Sequence, residues 1–443
     1  MRFFISDIFF KLKSDRFYFD SLVLTLFTVI GNLFAFLVNI IYTRTLPAGH
    51  YGAIMSINGI INILGTMAIG FRMFSVRVTS DMISKGESAK AIYFSYKFTL
   101  LTYIVMAVVL ILLYPLYGVL AQFINVDSIF VIILAAIIVV FAYLSSITSS
   151  LFQSMKMFLS LGIISFSYPF LRFILTYPLI KVWNGYIGAT ASMVIAIMLS
   201  FMLTSLITRL SSNFEEYKAE LKFDLAQFVS LVPIVVMNVL YSVLNYVDLL
   251  FVRRYFEEAQ TDMFAIASTI AKATLFVIIP VSYVVLPRMI DDYHKRGYRA
   301  SVNALMKGIA LSFFACLVYL GIIAVFGDII LMIFGYRYLE AKPLVFPFTL
   351  AFIPMGLSFL LINYSVTFRN WALVIPLVIA NIGLVGGFII WHSNFYQMIL
   401  VYGVVGTFLL ISSILFVIFS KKPKVSDEEV NKELKEMSPS SYQ

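Results

Sequence analysis

Cysteine is almost missing from this chain, and charge is scarce. Its 443 residues include one cysteine, Cys316, three histidines, and only 12% Asp, Glu, Lys and Arg together. A lone cysteine in an apolar run excludes disulfides and cysteine metal sites. His50, His294 and His392 stand far apart and offer no metal-ligand spacing. No G-x-x-x-x-G-K-[ST] loop occurs, so a built-in phosphate cradle for ATP hydrolysis is excluded, and no D-x-D occurs either. Serines abound, yet none sits in a nucleophile elbow or a recognisable His/Asp partnership. No loop is long enough to be a separate domain, and an integral glycosyltransferase or polymerase would want one for its acceptor. An enzyme is therefore not expected. The net charge of +9 is spread among short loops rather than gathered on one face, so nucleic-acid binding is not expected either.

What the chain has instead is apolar length. It is 61% hydrophobic, more than a soluble domain can bury, so lipid must be the solvent for most of it. Runs of spanning length lie near 20–42, 53–71, 97–116, 127–150, 158–180 and 186–207. A second set lies near 228–252, 264–286, 305–333, 344–367, 371–391 and 397–419, which makes the expected fold all-α with 12 transmembrane helices. Bases crowd the loops on the side of both termini, Arg209 and Lys295 among them, whereas the opposite loops hold only Arg44, Lys181, Arg253, Arg254, Arg337 and Lys342. That bias predicts a multi-pass protein with both termini in the cytoplasm. The N-terminal MRFFISDIFFKLKSDRF is broken by Asp7 and reads as a short amphipathic segment rather than a signal peptide. The organisation expected is an N-lobe over 1–207, a cytoplasmic linker over 208–227, a C-lobe over 228–420, and a polar tail over 421–443. Stretches 72–96 and 287–304 read as further charged linkers.

Two bases sit where the bilayer midplane should be. Arg172 and Lys272 each have roughly ten apolar or weakly polar residues on either side, in a hydrocarbon layer about 30 Å thick. A charge there costs at least about 2.5–3.5 kcal/mol and survives mainly where it faces protein or a watery cavity. The leading expectation is a path for something anionic; the plainer one is a snorkelling or carbonyl-bound base. Asn58 and Asn62, spaced i and i+4, share a helix face that suits helix packing or a cavity lining. Asp248 is the only acid well inside an expected span, with Arg44, Arg253 or Lys272 as candidate partners. Arg44 and Arg253 stand at outer span ends, where snorkelling is the default. Pro169 and Pro178 in the fifth span, and Pro280 and Pro287 in the eighth, should bend the two helices that carry the buried bases.

The halves echo each other. Asn39-Ile-Ile-Tyr-Thr-Arg44 ends the first span as Asp248-Leu-Leu-Phe-Val-Arg253 ends the seventh. Arg72-Met73 then matches Arg288-Met289, and Asp81…Lys85-Gly86 matches Asp291…Lys295…Gly297. Six spans per repeat give a parallel pseudo-repeat, a design that in transporters places substrate between halves that rock.

The loop Arg44-Thr-Leu-Pro-Ala-Gly-His-Tyr51-Gly52 resembles the R-x-L-x-x-x-x-Y-G loop of Wzx-type bacterial polysaccharide flippases, in the multidrug/oligosaccharidyl-lipid/polysaccharide (MOP) exporter superfamily. Asp248, Ala271-Lys272 and Leu286-Pro287-Arg288 resemble the seventh and eighth spans of that family. One departure is Met263-Phe264 where the family usually has Gly-Tyr. The resemblance implies a V-shaped pair of six-helix lobes, MATE- and MurJ-like, that moves a polyprenyl-pyrophosphate oligosaccharide to the outer leaflet of a bacterial inner membrane. On that reading Arg172 and Lys272, with Asn58 and Asn62, contact the headgroup in a basic cavity. Arg44, Arg253 and Asp248 belong to the outer mouth, and Arg72, Arg77 and Arg288 to the inner mouth, where positive-inside orientation explains the three bases equally well. No bound cofactor or metal is expected; a proton or sodium gradient is the candidate driving force. Expected partners are the lipid-linked glycan, membrane lipids, a glycan polymerase and glycosyltransferases. The alternatives are a cation-coupled multidrug exporter, disfavoured because the spans of the first half hold no internal carboxylate, and a lipid II flippase, whose family usually carries fourteen spans. A non-transporting scaffold would not need charge at the midplane.

Overall fold

A computed structural model describes residues 16–126, 128–183, 185–211, 228–368 and 371–419. The N-terminal amphipathic segment, nearly all of the linker 208–227 and the polar tail lie outside the described residues. Among the described residues there are helices and no strands, and 12 helical segments are long and apolar enough to cross a membrane. The chain divides into two compact units. One comprises Met1–His50 with Ile60–Val235, the other Tyr51–Gly59 with Val236–Gln443.

The first unit contains α1 (Arg16–Thr45), the later part of α2 (His50–Thr66), α3 (Ala68–Ser84), α4 (Ser88–Phe123), α5 (Ile129–Ser154), α6 (Phe158–Val182) and α7 (Tyr186–Ser211). Its centre is α5, which packs against α3, α4 and α7. Between helices in lipid there is no hydrophobic drive, so small and hydroxyl side chains do the joining. Ser150 Oγ donates to Ser75 Oγ at 2.6 Å, and one turn further along Thr79 and Ser154 share a hydrogen bond of 2.6 Å. Ser167 and Ser200 join α6 to α7 in the same way at 2.5 Å. On the other side of α6, Phe34 of α1 meets Phe166, Phe170 and Phe173 at centroid distances of 5.6, 5.3 and 5.1 Å.

The second unit contains residues 51–59 of α2, most of α8 (Val232–Tyr255), α9 (Glu258–Lys272), α10 (Thr274–Arg296), α11 (Tyr298–Phe334), α12 (Lys342–Thr367), α13 (Val374–Ile390) and α14 (Phe395–Phe419). Its most buried span is the one that ends in α12, packed against α9, α11 and α14. Tyr402 of α14 donates its hydroxyl to the Leu244 carbonyl at 2.6 Å.

The duplication is visible in local structure. The second span is interrupted at Met67, between α2 and α3, and the eighth at Ala273, between α9 and α10. In each case a tyrosine from a neighbouring helix takes the carbonyl three residues before the interruption. Tyr143 donates to Leu64 O at 3.1 Å, and Tyr319 donates to Ile270 O at 2.8 Å. An unbroken helix would give those carbonyls to the amides of Ala68 and Thr274, so an inserted hydroxyl is a sufficient cause of each break. The prolines are not: α6 continues through Pro169 and Pro178, and α10 through Pro280 and Pro287. The sequence assigns the bending to proline, whereas the interruption beside Lys272 comes from Tyr319.

The charged stretches 72–96 and 287–304 are helix, not linker, on both sides of a tight turn. Apolar length measures only the hydrocarbon crossing, and the helices run on into polar surroundings. α3 extends to Ser84, and Lys85 pairs with Asp81 at 2.6 Å before Gly86 turns the chain with φ +79°. That carboxylate, by hydrogen bond and charge, holds the Lys85 ammonium above the ordinary lysine range. α10 likewise extends to Arg296, Lys295 pairs with Asp291 at 2.7 Å, and Gly297 turns with φ +85°.

Candidate functional site

The eighth span is interrupted one residue after Lys272, the last residue of α9. A helix C-terminus carries partial negative charge, which favours an ammonium there. The stronger partner is Asp248 of α8, fully buried, whose two carboxylate oxygens accept from Lys272 Nζ at 2.9 and 2.8 Å. Ser268, one helical turn before Lys272, donates to the same carboxylate at 2.9 Å. Tyr246 places its ring 5.7 Å from the ammonium. Of the three candidate partners for Asp248, the structure selects Lys272, and it makes the two residues one neutral, hydrogen-bonded unit.

Arg172 has a different setting. Its Nη2 donates to Tyr42 Oη at 3.1 Å, and the guanidinium carbon stands 5.6 Å from the centre of the Tyr42 ring. Its Nε is buried without a hydrogen-bond partner, and no carboxylate among the described residues lies within salt-bridge distance. Arg172 is thus a mid-span cation held by tyrosine, with donor capacity left over.

The remaining sequence candidates fall in varied surroundings. Arg253 is 2% exposed, and its Nη2 bonds Glu258 Oε1 at 2.6 Å. The snorkelling end expected there is instead buried, because α9 starts three residues after α8 ends and folds back over the guanidinium. Arg44 is exposed at the end of α1. Arg72 donates to Gln153 Oε1 at 2.9 Å, whereas Arg77 and Arg288 are exposed. Asn58 is half-buried beside Met55 Sδ at 3.9 Å, and Asn62, one turn on, is exposed. The two asparagines belong to different units, since the division falls between them at Ile60.

Two features escaped the sequence reading. Asp262 is a second buried acid of the eighth span, 2% exposed, and it accepts from the Gly52 amide at 2.7 Å. Tyr51 shares a hydrogen bond of 2.9 Å with Thr269, and Ser56 donates to Leu249 O at 2.9 Å. A Cβ at Gly52 would stand 2.4 Å from Thr261 Cγ2 and 3.1 Å from the Thr261 carbonyl carbon, so only glycine allows this approach. The Tyr-Gly of the loop motif is therefore a docking pair that seats the start of α2 on α9. For the same reason residues 51–59 belong with the second unit, where the sequence division puts them in the first.

Residues 19–292, well over half of the chain, match the family described as "Polysaccharide biosynthesis protein". The chain belongs to that family. Solved structures agree on the fold of this polysaccharide biosynthesis protein. An inward-facing multidrug resistance MATE family transporter of the MOP superfamily aligns with a TM-score of 0.68 at 12% identity, over 91% of this chain and 96% of that one. The lipid II flippase MurJ, in an inward closed conformation, aligns with a TM-score of 0.69 at 16% identity, over 90% and 87%. A MOP superfamily transporter from Pyrococcus furiosus, described as having a binding pocket of reverse polarity, aligns with a TM-score of 0.64 at 12% identity, over 90% and 94%. No curated protein sequence matches the chain. The all-α fold, with 12 helical segments long and apolar enough to cross a membrane among the described residues, is thus shared with solved structures described as a MATE transporter and a lipid II flippase.

Proposed function

We propose that this family member is a flippase for a lipid-linked oligosaccharide. It carries a polyprenyl-pyrophosphate glycan from the cytoplasmic to the outer leaflet of the bacterial inner membrane by alternating access. The observation that carries the reading is Arg172, a mid-span guanidinium with an unused donor and no carboxylate partner among the described residues. A pyrophosphate supplies the charge it lacks, while the lipid tail stays in the bilayer. Lys272 contributes more conditionally, since a headgroup must compete with Asp248 for its ammonium. A cationic drug would need a carboxylate to pair with, and Asp248, the acid beside the mid-span base Lys272, is already neutralised by it.

The test is reconstitution. Purified protein in liposomes should translocate a polyprenyl-pyrophosphate glycan and give no saturable efflux of cationic dyes. Gradient-driven dye efflux abolished by Asp248→Asn would overturn the flippase in favour of a drug exporter. Translocation of lipid II in preference to other glycans would favour the MurJ-like alternative. Direction follows from orientation, read from the base-rich loops on the terminal side. Cysteines placed at Ser128 and Ser393 should label from outside intact cells and one at Ser426 should not; the reverse pattern would invert every leaflet assignment.

A further inference from the structure

In the first unit α4 and α7 both pack on α5 and leave a crevice between them, a cavity of about 1300 Å³. The crevice changes character along its length. At one end stand Tyr93, Lys97, Ser205 and Arg209, with the Lys97 ammonium 5.4 Å from the centre of the Tyr93 ring. At the other end the walls are Leu100, Tyr103, Phe141 and Phe201. α4 runs inward from its start at Ser88 while α7 runs outward to its end at Ser211, so the basic residues of both helices meet at one level. From Arg209 to Phe201 is eight residues, a depth of about 12 Å along a helix. No carboxylate lines the crevice among the described residues. Tyr96, Leu100 and Tyr103 of its rim are 41–53% exposed on a membrane-spanning helix, so its open side faces hydrocarbon.

A basic, hydroxyl-bearing mouth at the start of a span, over an apolar floor deeper in, has the polarity profile of a phospholipid standing in its leaflet. We propose that this crevice holds an anionic glycerophospholipid, with its phosphate at Lys97 and Arg209 and an acyl chain along Phe141 and Phe201. The site is separate from Arg172, which lies on α6 outside the crevice wall, and it does not depend on the substrate proposed above.

The test uses full-length protein purified in detergent and exchanged into mixed micelles of phosphatidylglycerol or phosphatidylcholine, with retained lipid measured by native mass spectrometry. Phosphatidylglycerol should be retained in preference, and the double variant K97Q/R209Q should lower its retention by about tenfold to thirtyfold. K97R/R209K, which keeps both charges and should fold in any case, should retain it near the wild-type level. Lys307→Gln, an exposed base on α11, should change nothing. Equal retention of phosphatidylcholine, or undiminished phosphatidylglycerol in K97Q/R209Q, would overturn the proposal. Displacement of the lipid by inorganic phosphate at millimolar concentration would also overturn it, because it would mark a free-anion site.

Discussion

Lys272→Ala should destabilise the protein by about 3–5 kcal/mol, because it strands the Asp248 carboxylate inside a span. Among the described residues, the Ser268 hydroxyl alone would remain hydrogen-bonded to that fully buried group. The sequence leaves Lys272 both as a headgroup contact and as one of three candidate partners of Asp248, and the observed pair puts its first effect on the fold. Lys272→Arg keeps the charge and should be milder. Asp248→Asn should also be milder, since an amide oxygen still accepts from the ammonium. The decisive variant is Lys272→Met with Asp248→Leu, which removes both charges and should recover most of the stability, as apolar replacements of buried ion pairs do. The check is Tm in detergent for wild type and the four variants. A Lys272→Ala protein as stable as wild type would mean that the pair contributes nothing.

Arg172→Gln should behave in the opposite way, folding normally and failing to transport. Its guanidinium is held by tyrosine hydroxyls, Tyr42 at 3.1 Å and Tyr168, with no carboxylate within salt-bridge distance among the described residues, so its removal strands no buried charge. A hydrogen bond to a charged group is worth about 1.5–3 kcal/mol, which converts to a loss of roughly tenfold to 150-fold in transport rate at limiting substrate. Arg172→Lys should recover part of this, because an ammonium keeps the charge and loses the planar fork that matches a pyrophosphate. Tyr42→Phe should have a smaller effect, of about 0.5–1.5 kcal/mol, since it frees the guanidinium without removing it. Wild-type export by Arg172→Gln at normal expression would remove this residue from the substrate path.

The spans and the repeat were legible because both are written in long runs and ordered matches. The echo of Asp81…Lys85-Gly86 in Asp291…Lys295…Gly297 corresponds in space to two ion-paired last turns before two glycine turns. What could not be read were contacts made across helices. Asp248 and Lys272 are 24 residues apart, and nothing in their local sequence prefers that pairing to Arg44 or Arg253. The sequence points to proline for the bends of the fifth and eighth spans because proline announces itself, and it carries no sign of the interruptions at Met67 and Ala273. The true breakers, Tyr143 and Tyr319, sit 79 and 49 residues away from the carbonyls they take. Asp262 was missed for a related reason: it precedes the apolar run, and only the folded chain buries it against Gly52. The Tyr-Gly pair did carry a signal, since a glycine held beside an aromatic in a loop marks a close approach.

The sign of the charge that binds separates a flippase from a drug exporter, and equilibrium binding to purified protein measures it. A polyprenyl-pyrophosphate glycan and a lipophilic cationic dye would be titrated in turn against wild type, Arg172→Gln and Asp248→Asn. The anionic lipid should bind saturably, about tenfold or more weakly in Arg172→Gln and little changed in Asp248→Asn, and the dye should show no saturable binding. Saturable dye binding that Asp248→Asn abolishes, with no measurable affinity for the anionic lipid, would contradict it.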